Sequence, residues 1–293
     1  MYDELRTARI GLYSDQLHLV VGQRRQGSDF CLYRKGWEED FCTREGQPDF
    51  EKLRCAVQQC RKLAERLFCE EVQLCGFGWL RYFPDSKKEL EAVLEQQIGT
   101  VAGAQQARAA KKMLGDGCGL FGEDCSVQVI GREGQVSLPV GWRALWQRED
   151  GPVPDRIQEE RMRQTVRNAL QAAQVAQAQG DRLTAGGFDG VRRFSLLVCG
   201  LTQQGAAVLD LEAVEQLMAL MRNPSLCWLG PLQKAQPVLP QKVFCQLVLL
   251  KEVLRFTGAR QVALGEYWLE DALLGDANCQ NGRAQAVRAG ADL

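Results

Sequence analysis

A strand, turn and strand pattern occurs twice in this chain, and that repeat restricts it to folds built from two similar halves. The second copy is the clearer. Gly117 to Gly141 reads GCGLFGEDCSVQVIGREGQVSLPVG, where Val127 and Val129, then Val136 and Leu138 across a Gly131 to Gly134 turn, alternate with period two. The first residues repeat the pattern: Ile10 and Leu12, a Ser14-Asp15 turn, then Leu17, Leu19 and Val21. A sheet therefore restarts in mid-chain, and 293 residues suit two domains of about 150 each. The halves are expected at 1–116 and 117–275, with residues 276–293, rich in Gly, Ala, Gln and Asn, as a frayed tail.

Each hairpin leads into alternating helices and strands. In the first half, Phe30 to Tyr33 reads as a third strand, and Phe50, Leu53, Val57, Cys60, Ala64 and Leu67 recur at helical spacing. Val72 to Cys75 is a strand, Ser86 with Glu89 a capping box, Thr100 to Ala102 a short strand and Ala104 to Leu114 a helix. In the second half a long helix is expected from Arg156 to Gln179, its apolar face marked by Ile157, Val166, Leu170 and Ala173. A buried strand Phe194 to Cys199 follows, and then Val208 to Leu211 opens a helix that runs through Val214, Leu217 and Met221. Pro240 stands at N1 of an apolar core helix, Val243 to Phe256, before a last strand, Gln261 to Leu264, and a last helix, Tyr267 to Leu274. This order is that of an α/β layered protein.

Composition excludes several classes. With 36 basic and 37 acidic residues the formal net charge is −1, and the basic pairs Arg24-Arg25 and Arg192-Arg193 are too few to track a nucleic acid. No apolar run is long enough to span a membrane, and the opening MYDELRTAR lacks the apolar core of a signal peptide. The twelve cysteines fall mainly within helix and strand patterns and are expected to be reduced thiols of a cytoplasmic protein. Without a Cys-x-x-Cys pair, and with His18 the single histidine, no zinc site is expected.

Candidate binding positions are the junctions where backbone N–H groups turn outward. These are Tyr13 to Gln16, Phe77 to Arg81, Phe121 to Ser126, Cys199 to Thr202, and the helix start at Gly103 to Arg108.

The run Ser137-Leu138-Pro139-Val140-Gly141 is similar to a Ser-Leu-Pro-Leu-Gly run of the exopolyphosphatase and guanosine pentaphosphate phosphatase family. Gly103-Ala104-Gln105-Gln106-Ala107-Arg108 is similar to that family's Gly-x-Glu-Glu-Ala-Arg segment. Leu80-Arg81, and the closing stretch Gln261 to Leu274, add to the resemblance. It implies an α/β chain of two actin-like domains (ribonuclease H-like, of the ASKHA superfamily) flanking a cleft. It also implies a bacterial family that hydrolyses terminal phosphoanhydrides of polyphosphate or pppGpp with a divalent metal. Arg81 and Gln106 would then occupy catalytic positions, and Ser14, Arg108, Ser126, Gly200 and Thr202 would contact the ligand.

The departures from the family are concentrated at its chemistry. Its first phosphate loop, Asp-x-Gly-[Ser/Thr], corresponds to Gly11-Leu12-Tyr13-Ser14, and its second, Asp-x-Gly-Gly-Gly-Ser, to Phe121-Gly122-Glu123-Asp124-Cys125-Ser126. The third corresponds to Cys199-Gly200-Leu201-Thr202, and the closing Arg-Glu-Gly to Glu270-Asp271-Ala272. Gln106 replaces the glutamate that activates water, and an amide is not a useful base near neutral pH. Two carboxylates are lost at Gly11 and Phe121, which leaves Glu123 and Asp124 as weak replacement metal ligands.

The expectation is a degenerate, non-catalytic relative that retains binding of a phosphorylated small molecule, polyphosphate or a protein. The protein side of that expectation includes a homodimer or an active relative. The alternatives are a hydrolase with a rebuilt active site, using Mg²⁺ or Mn²⁺, and an interaction protein unrelated to phosphate.

Overall fold

The computed structural model describes residues 5–25, 28–42, 48–101, 103–115, 117–131, 134–147, 153–175, 181–198, 207–223 and 239–273. In the first half, β1 (Arg6–Leu12) pairs antiparallel with β2 (Gln16–Arg25), and β2 with β3 (Ser28–Glu38). On its other side β1 pairs parallel with β4 (Glu71–Gly76), which pairs parallel with β5 (Ile98–Thr100). The sheet order is β3-β2-β1-β4-β5. Helix α1 (Phe50–Arg66) starts at an Asp49 cap and buries Leu53, Val57, Cys60 and Ala64, the stripe expected of it. The one-turn helix α2 (Trp79–Tyr82), α3 (Pro84–Leu94) and α4 (Gly103–Leu114) complete this half.

The second half repeats the plan strand for strand. β6 (Gly119–Gly122), β7 (Val127–Ile130) and β8 (Gln135–Leu138) form the antiparallel part. β6 pairs parallel with β9 (Arg182–Gly186), and β9 with β11 (Gln261–Leu264), to which β10 (Ala207–Asp210) adds an antiparallel edge. The order β10-β11-β9-β6-β7-β8 is the first sheet's order with one strand appended. Both hairpins thus lie in central sheets, in two α/β units of matching strand order.

The remaining helices are α5 (Trp142–Leu145), α6 (Arg156–Ala172), α7 (Asp189–Val198), α8 (Leu211–Met221), α9 (Pro240–Thr257) and α10 (Leu269–Leu273). Helix α9 is the core helix of its half. It starts with Pro240 in its first turn, ends at Gly258 with φ 72°, and buries Phe244, Leu247, Val248 and Leu250 completely. Each such side chain contributes about 1.5–3 kcal/mol relative to exposure.

Several local expectations are corrected. Phe194 to Val198 is the end of helix α7, not a strand; an all-apolar run does not distinguish the two, and Val191, Phe194 and Ser195 are buried at helical spacing. The strand lies earlier, at β9, where Leu183 and Ala185 point inward with period two. Val208 to Asp210 belongs to strand β10, and Asp210 caps α8 by accepting the Ala213 N–H. Helix α6 ends at Ala172, followed by Gln174 at φ 50°, and Ile157 is 82% exposed because the buried stripe runs through Glu159, Met162, Val166 and Leu170. Ser86 caps nothing, since α3 already begins with Pro84 in its first turn. β3 is far longer than Phe30 to Tyr33, and β5 begins two residues earlier than expected.

The compact units are Met1–Gln105 with Leu269–Leu293, and Gln106–Trp268, whereas the halves were expected to divide at 116 and 117. Helix α10 therefore completes the first unit. The tail from Asp276 lies outside the described residues. No helix among the described residues is long and apolar enough to cross a membrane, and the nine described cysteines form no disulfide with one another.

Candidate functional site: two equivalent turns

The β1–β2 and β6–β7 turns are the same turn in duplicate. In the first, the Tyr13 N–H donates to the Gln16 carbonyl at 3.0 Å; in the second, the Glu123 N–H donates to the Ser126 carbonyl at 2.8 Å. Each turn lies between an antiparallel partner strand and a parallel one, at the end of the sheet where α/β folds bind ligands.

The first turn is filled. Gly11 pairs with His18 across β2 and with Cys75 across β4, so all three face the same side of the sheet. Tyr13, two residues on, keeps to that side: its ring stacks on Phe77 with centroids 4.9 Å apart and planes 7° from parallel, and lies 5.0 Å from the His18 ring. Tyr13 is 3% exposed and Ser14 fully buried. Helix α10 supplies the rest. A Cβ on Gly11 would lie 1.7 Å from Glu270 Oε1, so the Glu270 carboxylate occupies the space where a side chain at residue 11 would begin. That carboxylate is fully buried, with the His18 Nδ1 at 3.3 Å from Oε1 and 3.4 Å from Oε2. Burying a carboxylate costs several kcal/mol unless a partner of this kind faces it. The adjacent Asp271 bonds Arg34 of β3 at 2.9 Å, and burial raises its carboxyl above the ordinary range despite that guanidinium.

The second turn is equally closed. The Ser126 hydroxyl donates to Glu123 Oε2 at 3.0 Å, and Asp124 Oδ1 accepts the Cys125 N–H at 2.9 Å. The Asp124 carbonyl accepts the Arg143 N–H at 2.8 Å and packs so tightly on Gly141 that a Cβ there would sit 2.2 Å away. Glu123, Asp124 and Ser126 are all buried. Burial, reinforced by Asp124 and Glu123, pushes the Cys125 thiol far above its usual range, so it is not a nucleophile.

Beside this turn, the loop from β9 into α7 brings Gly186 and Gly187. Gly187 has φ 76°, and a Cβ on it would lie 1.9 Å from the Gly122 carbonyl, so only glycine fits. The Phe121 ring packs against Gly186 and the Phe188 ring against Gly122. Asp189 stands in the first turn of α7, where the helix dipole favours one carboxylate and hence disfavours a second anion, and its Oδ1 lies 3.7 Å from Arg192 Nε.

The other sequence candidates are on helices or outside the described residues. Gln106 is buried and Arg108 exposed on α4, and Arg81 is in α2 after Gly78. Gly200 and Thr202 lie outside the described residues. The segment that follows β9, the parallel partner of β6, is Gly186-Gly187, the topological counterpart of the Gly76-Phe77 junction after β4. His18 and Glu270 were also missed as a site. The signal for them was slight, a lone histidine on a strand and a closing acidic pair.

Among the described residues, the donor set of neither unit fits a divalent metal. Glu123 and Asp124 are committed to the turn's own donors, Glu270 faces His18, and no group of three or more His, Cys, Asp or Glu among the described residues is arranged to hold an ion.

No protein-family model matches the sequence, and no curated protein matches it. Solved structures do. The Aquifex aeolicus Ppx/GppA family member superposes with a TM-score of 0.67 at 15% identity, over 92% of this chain and 96% of that one. The chain has the Ppx/GppA fold. An exopolyphosphatase from Cytophaga hutchinsonii gives a TM-score of 0.70 at 14% identity, over 92% of this chain and 96% of that one. A third structure, an exopolyphosphatase-like protein, gives 0.66 at 12% identity over 94% and 98%.

Proposed function

We propose that this chain is a divergent Ppx/GppA-like protein that has lost phosphoanhydride hydrolysis and acts in the cytoplasm by binding, to a phosphorylated ligand or to a protein. The observation that carries this reading is the filled first turn. Tyr13 stacked on Phe77, and the Glu270 carboxylate lodged against Gly11, take up the space and the electrostatic sign that a phosphate would need there. Gln106 adds to it, because an amide cannot accept the proton that the attacking water must lose. Losing a general base alone typically costs about 10² to 10⁴ in rate. With Ser14 and Ser126 both buried, the cation we assign to a phosphorylated ligand is Arg108, which is exposed on α4.

The test is phosphate release from polyphosphate and from pppGpp, with Mg²⁺ and Mn²⁺ supplied, for the unmodified protein and for Gln106→Glu. No turnover by the unmodified protein, together with measurable ligand binding, is the expected result. Robust turnover that disappears on Glu123→Ala or Asp124→Ala overturns it.

One observation favours a rebuilt hydrolase as the second reading. Glu270 delivers a carboxylate, oriented by His18, against the backbone of Gly11, where the family carries its first aspartate. On that reading Glu270→Gln abolishes a turnover that the unmodified protein displays.

A further inference from the structure

Among the described residues strand β3 is the outer edge of the first sheet and runs for 11 residues, while its counterpart β8 has 4. The direction of its backbone hydrogen-bonding groups follows from its register. The Glu39 N–H donates to the Asp15 carbonyl, so residues 39, 37 and 35 point their backbone groups at β2, and Arg34, Gly36 and Glu38 point theirs away from it. Arg34, Lys35 and Gly36 are exposed, Trp37 and Glu38 half-buried, and Lys35 Nζ lies 4.9 Å from the Trp37 ring centre on their shared face.

An exposed edge of this length invites another strand, and lysine or arginine along it usually repels a second copy. Here the order of charges reverses that effect. Residues 34–39 read Arg-Lys-Gly-Trp-Glu-Glu, positive at one end and negative at the other. Parallel stacking sets like against like, whereas antiparallel pairing sets opposite against opposite.

We propose that β3 pairs antiparallel with β3 of a second copy about a two-fold axis through Gly36, joining two five-stranded sheets into one. Only residues with outward backbone groups can exchange hydrogen bonds across this axis, and Gly36 with Gly36, and Arg34 with Glu38, are such pairs. Each Arg34 then faces Glu38 of the partner subunit. Lys35 faces Trp37 of the partner subunit in the closer, non-hydrogen-bonded position, where a cation over an indole face is favourable. Gly36 at the axis lets the two backbones meet without side chains between them. Arg34 remains 45% exposed while bonded to Asp271, so its guanidinium has room for both carboxylates.

The interface is small, and the affinity expected of it is micromolar or weaker. Sedimentation velocity from about 1 to about 200 µM protein reads it, since such affinities populate both species over that range. The expected result is a reversible monomer–dimer equilibrium. Gly36→Pro removes only an outward N–H and leaves the β2 ladder intact, so it weakens the dimer by at least about tenfold. Glu38→Arg alone weakens it comparably, and Arg34→Glu combined with Glu38→Arg restores it. Far-ultraviolet dichroism checks that each variant is folded, and the charge exchange carries the test if the proline variant is not. A monomer at every concentration, a dimer indifferent to Gly36→Pro, or an exchange that fails to restore association overturns the proposal.

Discussion

Replacing Glu252 by glutamine removes one charge from a buried ion cluster between α6 and α9, without changing side-chain shape. Glu252 lies on α9 and is 2% exposed on its side chain; Oε1 accepts from Arg163 Nε at 2.7 Å and Oε2 from Arg167 Nε at 2.6 Å, both on α6. Arg255 Nη1 stands 3.8 Å away on the next turn of α9. Burial alone would raise this carboxyl, but the hydrogen bonds from Arg167 and Arg163 more than offset it and hold it below the ordinary range.

Removing one partner of a buried pair costs about 3–5 kcal/mol when the remaining charge is stranded. Arg163 and Arg167, at 20% and 31% exposure, still reach water, so the expected loss is nearer to the value of hydrogen bonds to charge, about 2–3 kcal/mol. For a unit of this size that corresponds to a fall of about 4–12 °C in Tm.

A carboxyl whose folded pKa is depressed contributes stability above its unfolded pKa and loses it as pH falls through the folded value. Scanning calorimetry of the unmodified protein and Glu252→Gln should therefore show the full gap at pH 7 and a gap closing below about pH 4. A gap smaller than about 0.5 kcal/mol at pH 7, or one that does not narrow in acid, refutes the reasoning.

Three more outcomes are expected. Phe68, with φ 57° and 78% exposure after α1, gives up little contact and relieves backbone strain on Phe68→Gly, raising stability by about 1 kcal/mol in urea unfolding. Gly187→Ala meets both φ 76° and the Gly122 carbonyl, and should lose at least about 3 kcal/mol or fail to accumulate as folded protein in the same assay. All twelve cysteines should titrate as free thiols in denatured, unreduced protein, while in the native protein at pH 8 exposed Cys55 alkylates well before Cys125, whose thiol is held protonated.

The sequence announced the architecture through residues whose period is unambiguous. Val127, Val129, Val136 and Leu138 alternate because one face of their hairpin is buried and the other is not, and Leu53, Val57, Cys60 and Ala64 recur because α1 lies on a sheet. Where both sides of an element are buried the signal vanishes, so helix α7 resembled a strand. Its Gly186-Gly187 entry was overlooked, although a glycine pair after an alternating run is itself a mark of close backbone approach. The candidate site was half legible. Tyr13, Glu123 and Asp124 could be placed in turns from local sequence. The meeting of Gly11, His18 and Glu270 depends on residues 252 positions apart, which no local pattern encodes.

Helix α10 gives that separation a temporal meaning. The first unit holds Met1–Gln105 but receives Leu269–Leu273 only after the whole second unit has been synthesised. During translation the face of β1 at Gly11 therefore stays uncovered, with His18 facing no carboxylate from α10, until Leu269–Leu273 have left the ribosome. A fragment cut at residue 105 keeps that unfinished surface permanently. Joining the α10 segment to the front of β1 through a short linker would instead let the first unit close before the second exists.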